Sequence, residues 1–139
     1  MEFAGMNAEE AKDFASRWLP TWTGNDPELL TSFYTEDGFY SDERIREGVR
    51  GRAAILKYFE KLLAENPKWV WTHTGSIPIR DGFLNKWHAS IPVGDKVIEA
   101  TGVCTAQIRD GKIYSNEVFF DRSELVQAIM KERGSSKSE

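Results

Sequence analysis

Asp42 follows a short aromatic run, Phe39-Tyr40-Ser41, inside the stretch FYTEDGFYSDERIREGVRG. An acid at that place has two readings. It is a solvated loop residue paired with Arg44 or Arg46, or it stands at the mouth of an apolar pocket. In the pocket, desolvation disfavours the charged form of a carboxyl group, which suits it to taking and returning a proton. Tyr40 lies on the same side of the run as Asp42 by alternation.

His73, in WVWTH, shares a strand face with Trp69 and Trp71 by the same period of two. An imidazole near an acid is a second proton carrier around neutral pH, and the position also suits a core histidine bonded to backbone. His88 alternates against Trp87, Ala89 and Ile91 and falls on the opposite sheet face. Neither histidine has further acids at ligand spacing, so no metal site is expected, and no cofactor. Cys104 alternates with the small residues Gly102 and Ala106. No cation or helix start adjoins it to activate the thiol, so it reads as a pocket liner. Arg44, Arg46, Arg50 and Arg52 are interleaved with, or follow, Asp37, Asp42, Glu43 and Glu47. That pattern is a salt-laced loop, or a lure for an anionic substrate.

The chain that must position these groups has 139 residues, which favours one domain over 1–139, with an ordered core at 7–132 and a frayed polar tail at 133–139. Apolar residues make up 40% of it, five of them tryptophan, enough for one core. A net charge of −4 argues against a nucleic-acid surface. One cysteine permits no internal disulfide and suits a reducing cytoplasm. No apolar run approaches the ~20 residues of a membrane span. The N-terminal MEFAGMNAEE has neither the basic nor the apolar region of a secretory signal, so a cytoplasmic location is expected.

Asn7 is positioned to cap a helix that starts at Ala8 and carries Ala11, Phe14, Ala15, Trp18, Leu19 and Trp22 at helical spacing. Asp26-Pro27 starts a second helix, with Leu29, Leu30, Phe33 and Tyr34 on its apolar face. Phe39–Ser41 is a brief strand. GRAAILKYFEKLLAENP is a third helix, with Ala54, Ile55, Tyr58, Phe59, Leu62 and Leu63 on one side and Pro67 as its stop. Four strand-like stretches follow, separated by Asp81-Gly82, Gly94-Asp95 and Asp110-Gly111, and they form an antiparallel meander. DRSELVQAIMKE closes the chain as an amphipathic helix. Helices first and a curved sheet afterwards predict an α+β domain whose sheet wraps the helices as a cone, with a pocket inside.

The W…W…ND…LL…FY.ED helix pair, GRAAILKYF after the Asp42 loop, RDGKI before the last strand and FFD at its end resemble the nuclear transport factor 2-like fold. Within it the chain is most similar to the SnoaL-like and ketosteroid isomerase-like groups, over roughly Ala8 to Ile129. The resemblance implies a cone-shaped α+β fold with a curved antiparallel sheet. It implies that Asp42 stands at the general-base position of the isomerases, and that Trp18 replaces their oxyanion-hole tyrosine. Cys104 replaces their second, protonated acid, and His73 is similar to the pocket histidine of scytalone dehydratase-like members. It also implies that Tyr114, Asn116, Val118 and Phe120 line the cone, with Tyr40, Tyr58 and Trp87 completing its wall.

Two functions of different class stay open. One is a cofactor-independent enzyme that moves a proton on a small hydrophobic, ring-bearing or carbonyl-bearing molecule as an isomerase, cyclase or dehydratase, with Asp42 and His73 as its acid–base groups. The other is a noncatalytic small-molecule-binding or assembly domain in which Asp42 is a polar anchor. Phe119 and Phe120 leave aromatic surface on both faces of the last strand, so a homodimer through the outer sheet face is expected.

Overall fold

Asn7 opens helix α1 (Ala8–Trp18) with a reciprocal cap: its side chain accepts from the Glu10 amide at 2.8 Å, and Glu10 accepts from the Asn7 amide at 3.0 Å. The computed structural model describes residues 5–137. One 3₁₀ turn (Leu19–Trp22) continues α1, and the Asp26 side chain then caps the short α2 (Pro27–Thr31) through the Leu29 amide. Strand β1 is Tyr34–Ser41, β2 is Val49–Arg50 and α3 is Arg52–Glu65. The meander is β3 (Val70–Ile79), β4 (Gly82–Val93), β5 (Lys96–Arg109) and β6 (Lys112–Phe119), and α4 (Ser123–Lys137) closes the chain.

The strands form one curved, unclosed sheet in the order β2-β1-β6-β5-β4-β3. Neighbours in the meander are antiparallel, whereas β1 lies parallel to β6. A parallel neighbour needs a long connection between the paired strands, and α3 with the whole meander supplies it. The helices pack on the inner face, where Phe14, Trp18, Leu30, Phe59 and Leu63 meet Phe83, Trp87 and Ile113 in one apolar core. No helix among the described residues is long and apolar enough to cross a membrane.

Four local expectations are corrected. Phe33 and Tyr34 are not on α2, because the Ser32 amide bonds back to carbonyls of the last turn and Ile113 then donates to the Phe33 carbonyl at 2.7 Å. That bond draws Tyr34 onto β6, so β1 is longer than Phe39–Ser41. The first hairpin turns at Arg80-Asp81, and Gly82 is already paired with Ile79. A β-carbon at Gly82 would lie 1.9 Å from the Ala106 carbonyl oxygen, so glycine is required by close approach of the neighbouring strand. Tyr114 does not share the inner face with Asn116. Gln107 pairs with Ser115 and Ile108 with Ile113, so Tyr114 is an extra residue in a β-bulge, and both Ile113 and Asn116 turn inward. At the C-terminus α4 runs on to Lys137, through residues expected as a frayed tail; 138–139 lie outside the described residues.

Candidate functional site

Where β1 ends, the chain turns so that Asp42 caps its own loop. Its Oδ1 accepts from the Arg44 amide at 2.9 Å and the Ile45 amide at 3.1 Å, a common way for aspartate to hold a turn. The other donors are phenols. Tyr40 on β1 donates to Oδ2 at 2.8 Å, and Tyr58 on α3 reaches Oδ2 at 2.9 Å and Oδ1 at 3.1 Å. Asp42 is only 7% exposed. Neither neighbouring arginine pairs with it: the Arg44 guanidinium lies 3.4 Å from Glu65, and that of Arg46 lies 2.6 Å from Glu43. Of Arg44, only the backbone amide bonds to Asp42.

The phenols respond to this arrangement. Burial, and then the Asp42 charge, push both the Tyr40 and Tyr58 hydroxyls above the ordinary tyrosine range. Both therefore remain protonated donors. Tyr40 is fully enclosed, while Tyr58 is partly open.

Asp42 stands on the wall of a cavity of about 530 Å³ between the helices and the inner sheet face. Trp18, Tyr40, Trp87, Cys104, Asn116, Val118 and Phe120 line the same cavity. Tyr58 is not on its wall and reaches the site only through its bond to Asp42. His73 is not on the wall either. It lies on the inner face of β3 with Nδ1 2.7 Å from the Asn85 Oδ1, and Asn85 is fully buried. Asp42 and His73 therefore do not meet across the cavity. His88 sits on the outer face, bonded to Glu99.

Asn116 is held by the protein at both ends of its amide, accepting from the Tyr34 hydroxyl and donating to the Thr105 carbonyl, each at 2.9 Å. Cys104 is 2% exposed, and burial pushes its thiol from an ordinary 9.0 up to about 12. The native protein is therefore expected to resist alkylation by iodoacetamide at about pH 8 and to react once unfolded. Burial of the neutral thiol contributes stability that is fully present below 9.0 and is lost as pH rises toward 12. Denaturation midpoints of wild type and Cys104→Ala should converge over that alkaline window. Rapid native-state alkylation would show the thiol to be open.

Several wall residues were not singled out from sequence. Trp22, Trp69 and Trp71 contribute aromatic wall, and α4 contributes Leu125, Val126, Ile129 and Met130 across the opening. The apolar stripe of α4 was a readable signal, but its position over the opening depends on where β6 ends. Arg44, Arg122, Arg133, Glu43 and Glu65 also belong to this wall. Among the described residues no group of three or more His, Cys, Asp or Glu is placed to hold a metal ion.

Known structures share this architecture. A protein of ketosteroid isomerase-like fold from Catenulispora acidiphila, in complex with trimethylamine, superposes with a TM-score of 0.73 at 19% identity, covering 84% of this chain and 91% of that one. TerC, co-crystallised with polyporic acid, gives 0.73 at 15% identity over 86% and 98% of the two chains. A structure described as a SnoaL-like polyketide cyclase from Jannaschia sp. CCS1 gives 0.74 at 12% identity over 93% and 97%. A comparison with curated protein sequences gives no match. The SnoaL-like domain model matches residues 15–116, most of the cone with Asp42 and the strands that carry Trp87, Cys104 and Asn116, and the chain therefore belongs to the SnoaL-like domain family.

Proposed function

We propose that the protein moves a proton on a small hydrophobic molecule, ring-bearing or carbonyl-bearing, without a cofactor. The observation that carries this reading is one carboxylate, 7% exposed and without an arginine partner, on the wall of an aromatic cavity of about 530 Å³. Asp42 takes a proton from a carbon beside the carbonyl. The C–H electron pair passes to the carbonyl oxygen as an enolate, and the proton returns at the same or another carbon. The family includes isomerases and cyclases, whose chemistry is of this kind. Tyr58 is the donor that gives way, because it spans both carboxylate oxygens and is partly open, whereas Tyr40 and the two amides are fixed. His73, off the cavity wall and bonded to Asn85, takes no part in this step.

The saturation of Asp42 favours a second reading. Amides of Arg44 and Ile45 and hydroxyls of Tyr40 and Tyr58 fill the lone-pair positions of the carboxylate. On that reading Asp42 is a structural anchor and the cavity only binds. The ligands of the two relatives named with one, trimethylamine and polyporic acid, support small-molecule binding in either case.

Deuterium uptake from D₂O into 2-tetralone, a cyclic ketone with acidic C–H bonds, separates the two. The enzyme reading expects wild type to accelerate uptake and Asp42→Asn to lower that acceleration at least ~100-fold, the usual scale of a positioned base. Binding of the ketone with no acceleration by wild type would select the binding reading.

We also propose a homodimer through the outer sheet face. Val70, Ile77, Val97 and Phe119 are 48%, 53%, 57% and 38% exposed. Alternation against the inward Phe83, Trp87, Ile91 and Cys104 puts all four outside. Such a face exceeds the scattered apolar residues that a monomer carries. Sedimentation is expected to give twice the 15.9 kDa chain mass, and a monomer at high micromolar concentration would refute it.

A further inference from the structure

Moving a proton beside a carbonyl requires donors for the oxygen on which charge gathers. The positions that serve this in the isomerases carry Trp18 and Cys104 here. Cys104 is a neutral, enclosed thiol and a weak donor. The Trp18 indole nitrogen, close to the Tyr34 hydroxyl, is buried on the same wall and makes no hydrogen bond among the described residues, so it stands alone as one unpartnered donor. Asn116 spends its amide on Tyr34 and Thr105. Cys104 and Asn116 therefore offer no free donor to a ligand, and Trp18 offers a single one.

Two other wall residues offer a pair of donors. The indole nitrogens of Trp71 and Trp87 are buried and have no hydrogen-bond partner among the described residues, although both side chains line the cavity. Trp87 is 1% exposed. The rings adjoin on neighbouring strands, with centroids 4.5 Å apart and planes inclined by 55°, and Phe120 packs edge-on against Trp87 at 5.2 Å. Trp69 shows the contrast: its indole N–H donates to the Trp22 carbonyl at 2.6 Å. Buried donors without partners are rare in folded proteins, because each forfeits its bond to water and gains nothing in return. Two on adjacent rings of one cavity wall are donors that one acceptor atom can satisfy together.

We propose that Trp71 and Trp87 form a paired donor that recognises an oxygen acceptor on the ligand, a ring-borne carbonyl or enol oxygen. The assignment rests on the reading of this cavity as the ligand site. It makes the two tryptophans specificity-determining residues. Purely hydrocarbon ligands of the same shape would leave both N–H groups unpaired, and are disfavoured for that reason.

The test uses ¹⁵N-labelled full-length protein, whose five tryptophans each give one indole N–H signal. Single Trp→Phe variants assign the signals. Wild type is titrated with 2-acetylnaphthalene and, separately, with 2-isopropenylnaphthalene, which has a methylene in place of the carbonyl oxygen. The expected result is a downfield shift of the Trp71 and Trp87 indole protons with the ketone alone, and a smaller change at Trp69. The ketone should bind roughly tenfold more tightly than the alkene, about one hydrogen bond's worth. Trp87→Phe should narrow that preference. Equal affinity for the two compounds, with no downfield shift, overturns the donor pair while leaving the cavity as a binding site. If neither compound perturbs any indole signal, the binding reading of the cavity fails and the donor pair falls with it. The comparison within wild type decides the matter even if a tryptophan variant does not fold.

Discussion

Replacing Asp42 with alanine is expected to lower the free energy of unfolding by roughly 3–5 kcal/mol. The carboxylate joins three segments: its own loop through the Arg44 and Ile45 amides, β1 through Tyr40, and α3 through Tyr58. Removing it strands all of those donors. A buried donor left unpaired costs about 1–3 kcal/mol, and the costs do not simply add because water entering beside the cavity rescues some of them. The Tyr40 hydroxyl suffers most, since the residue is 2% exposed and its ring is fixed against Trp22 and Phe59. Asp42→Asn keeps one acceptor oxygen but turns an N–H₂ toward existing donors, so about half the alanine loss is expected. Urea denaturation of both variants checks this. A midpoint for Asp42→Ala equal to that of wild type would mean that the network does not hold the loop.

Trp18→Ala should be similarly severe, at roughly 3–5 kcal/mol. Trp18 is 0% exposed, and it packs against Phe14 and Phe83 with ring centroids 6.4 Å and 6.3 Å away. It joins α1 to the inner face of the sheet, so its loss loosens the contact that keeps the cone open at a fixed width. The void merges with the existing cavity rather than collapsing, because the sheet on the other side is braced by its own hydrogen bonds. Lys57, exposed on α3, is the control and should tolerate alanine within about 0.5 kcal/mol. Equal denaturation midpoints for the two variants would refute this account of the core.

Helices and hairpins were readable because their signals are local. The Asn7–Glu10 cap, the Asp26-Pro27 start and the Gly94-Asp95 and Asp110-Gly111 turns each depend on a few neighbouring residues. The periods of the apolar positions then separate three helices from a four-strand meander. What was misread depends on distant partners. Nothing near Tyr34 states that Phe33 will receive a hydrogen bond from Ile113, some eighty positions away, and without that bond the FY pair does read as helix face. The bulge at Tyr114 is equally silent, because one residue of register decides which face a side chain takes and the partner strand sets the register.

The site divides along the same line. By itself the sequence determined that an acid closes an aromatic strand, that tryptophans crowd one face of the next sheet, and that the lone cysteine has small neighbours. Residue identity and alternation suffice for that. Only the tertiary structure decided what Asp42 faces. Its arginine neighbours in the chain are held by Glu65 and Glu43, while its donors come from Tyr40 and from Tyr58 on another element. Tertiary packing also kept His73 off the cavity wall and left the Trp18, Trp71 and Trp87 indoles there without partners among the described residues. The physical reason is that hydrogen-bond partnership and burial are properties of positions in space, and a chain folded into a cone brings together residues whose separation in sequence carries no information about their distance.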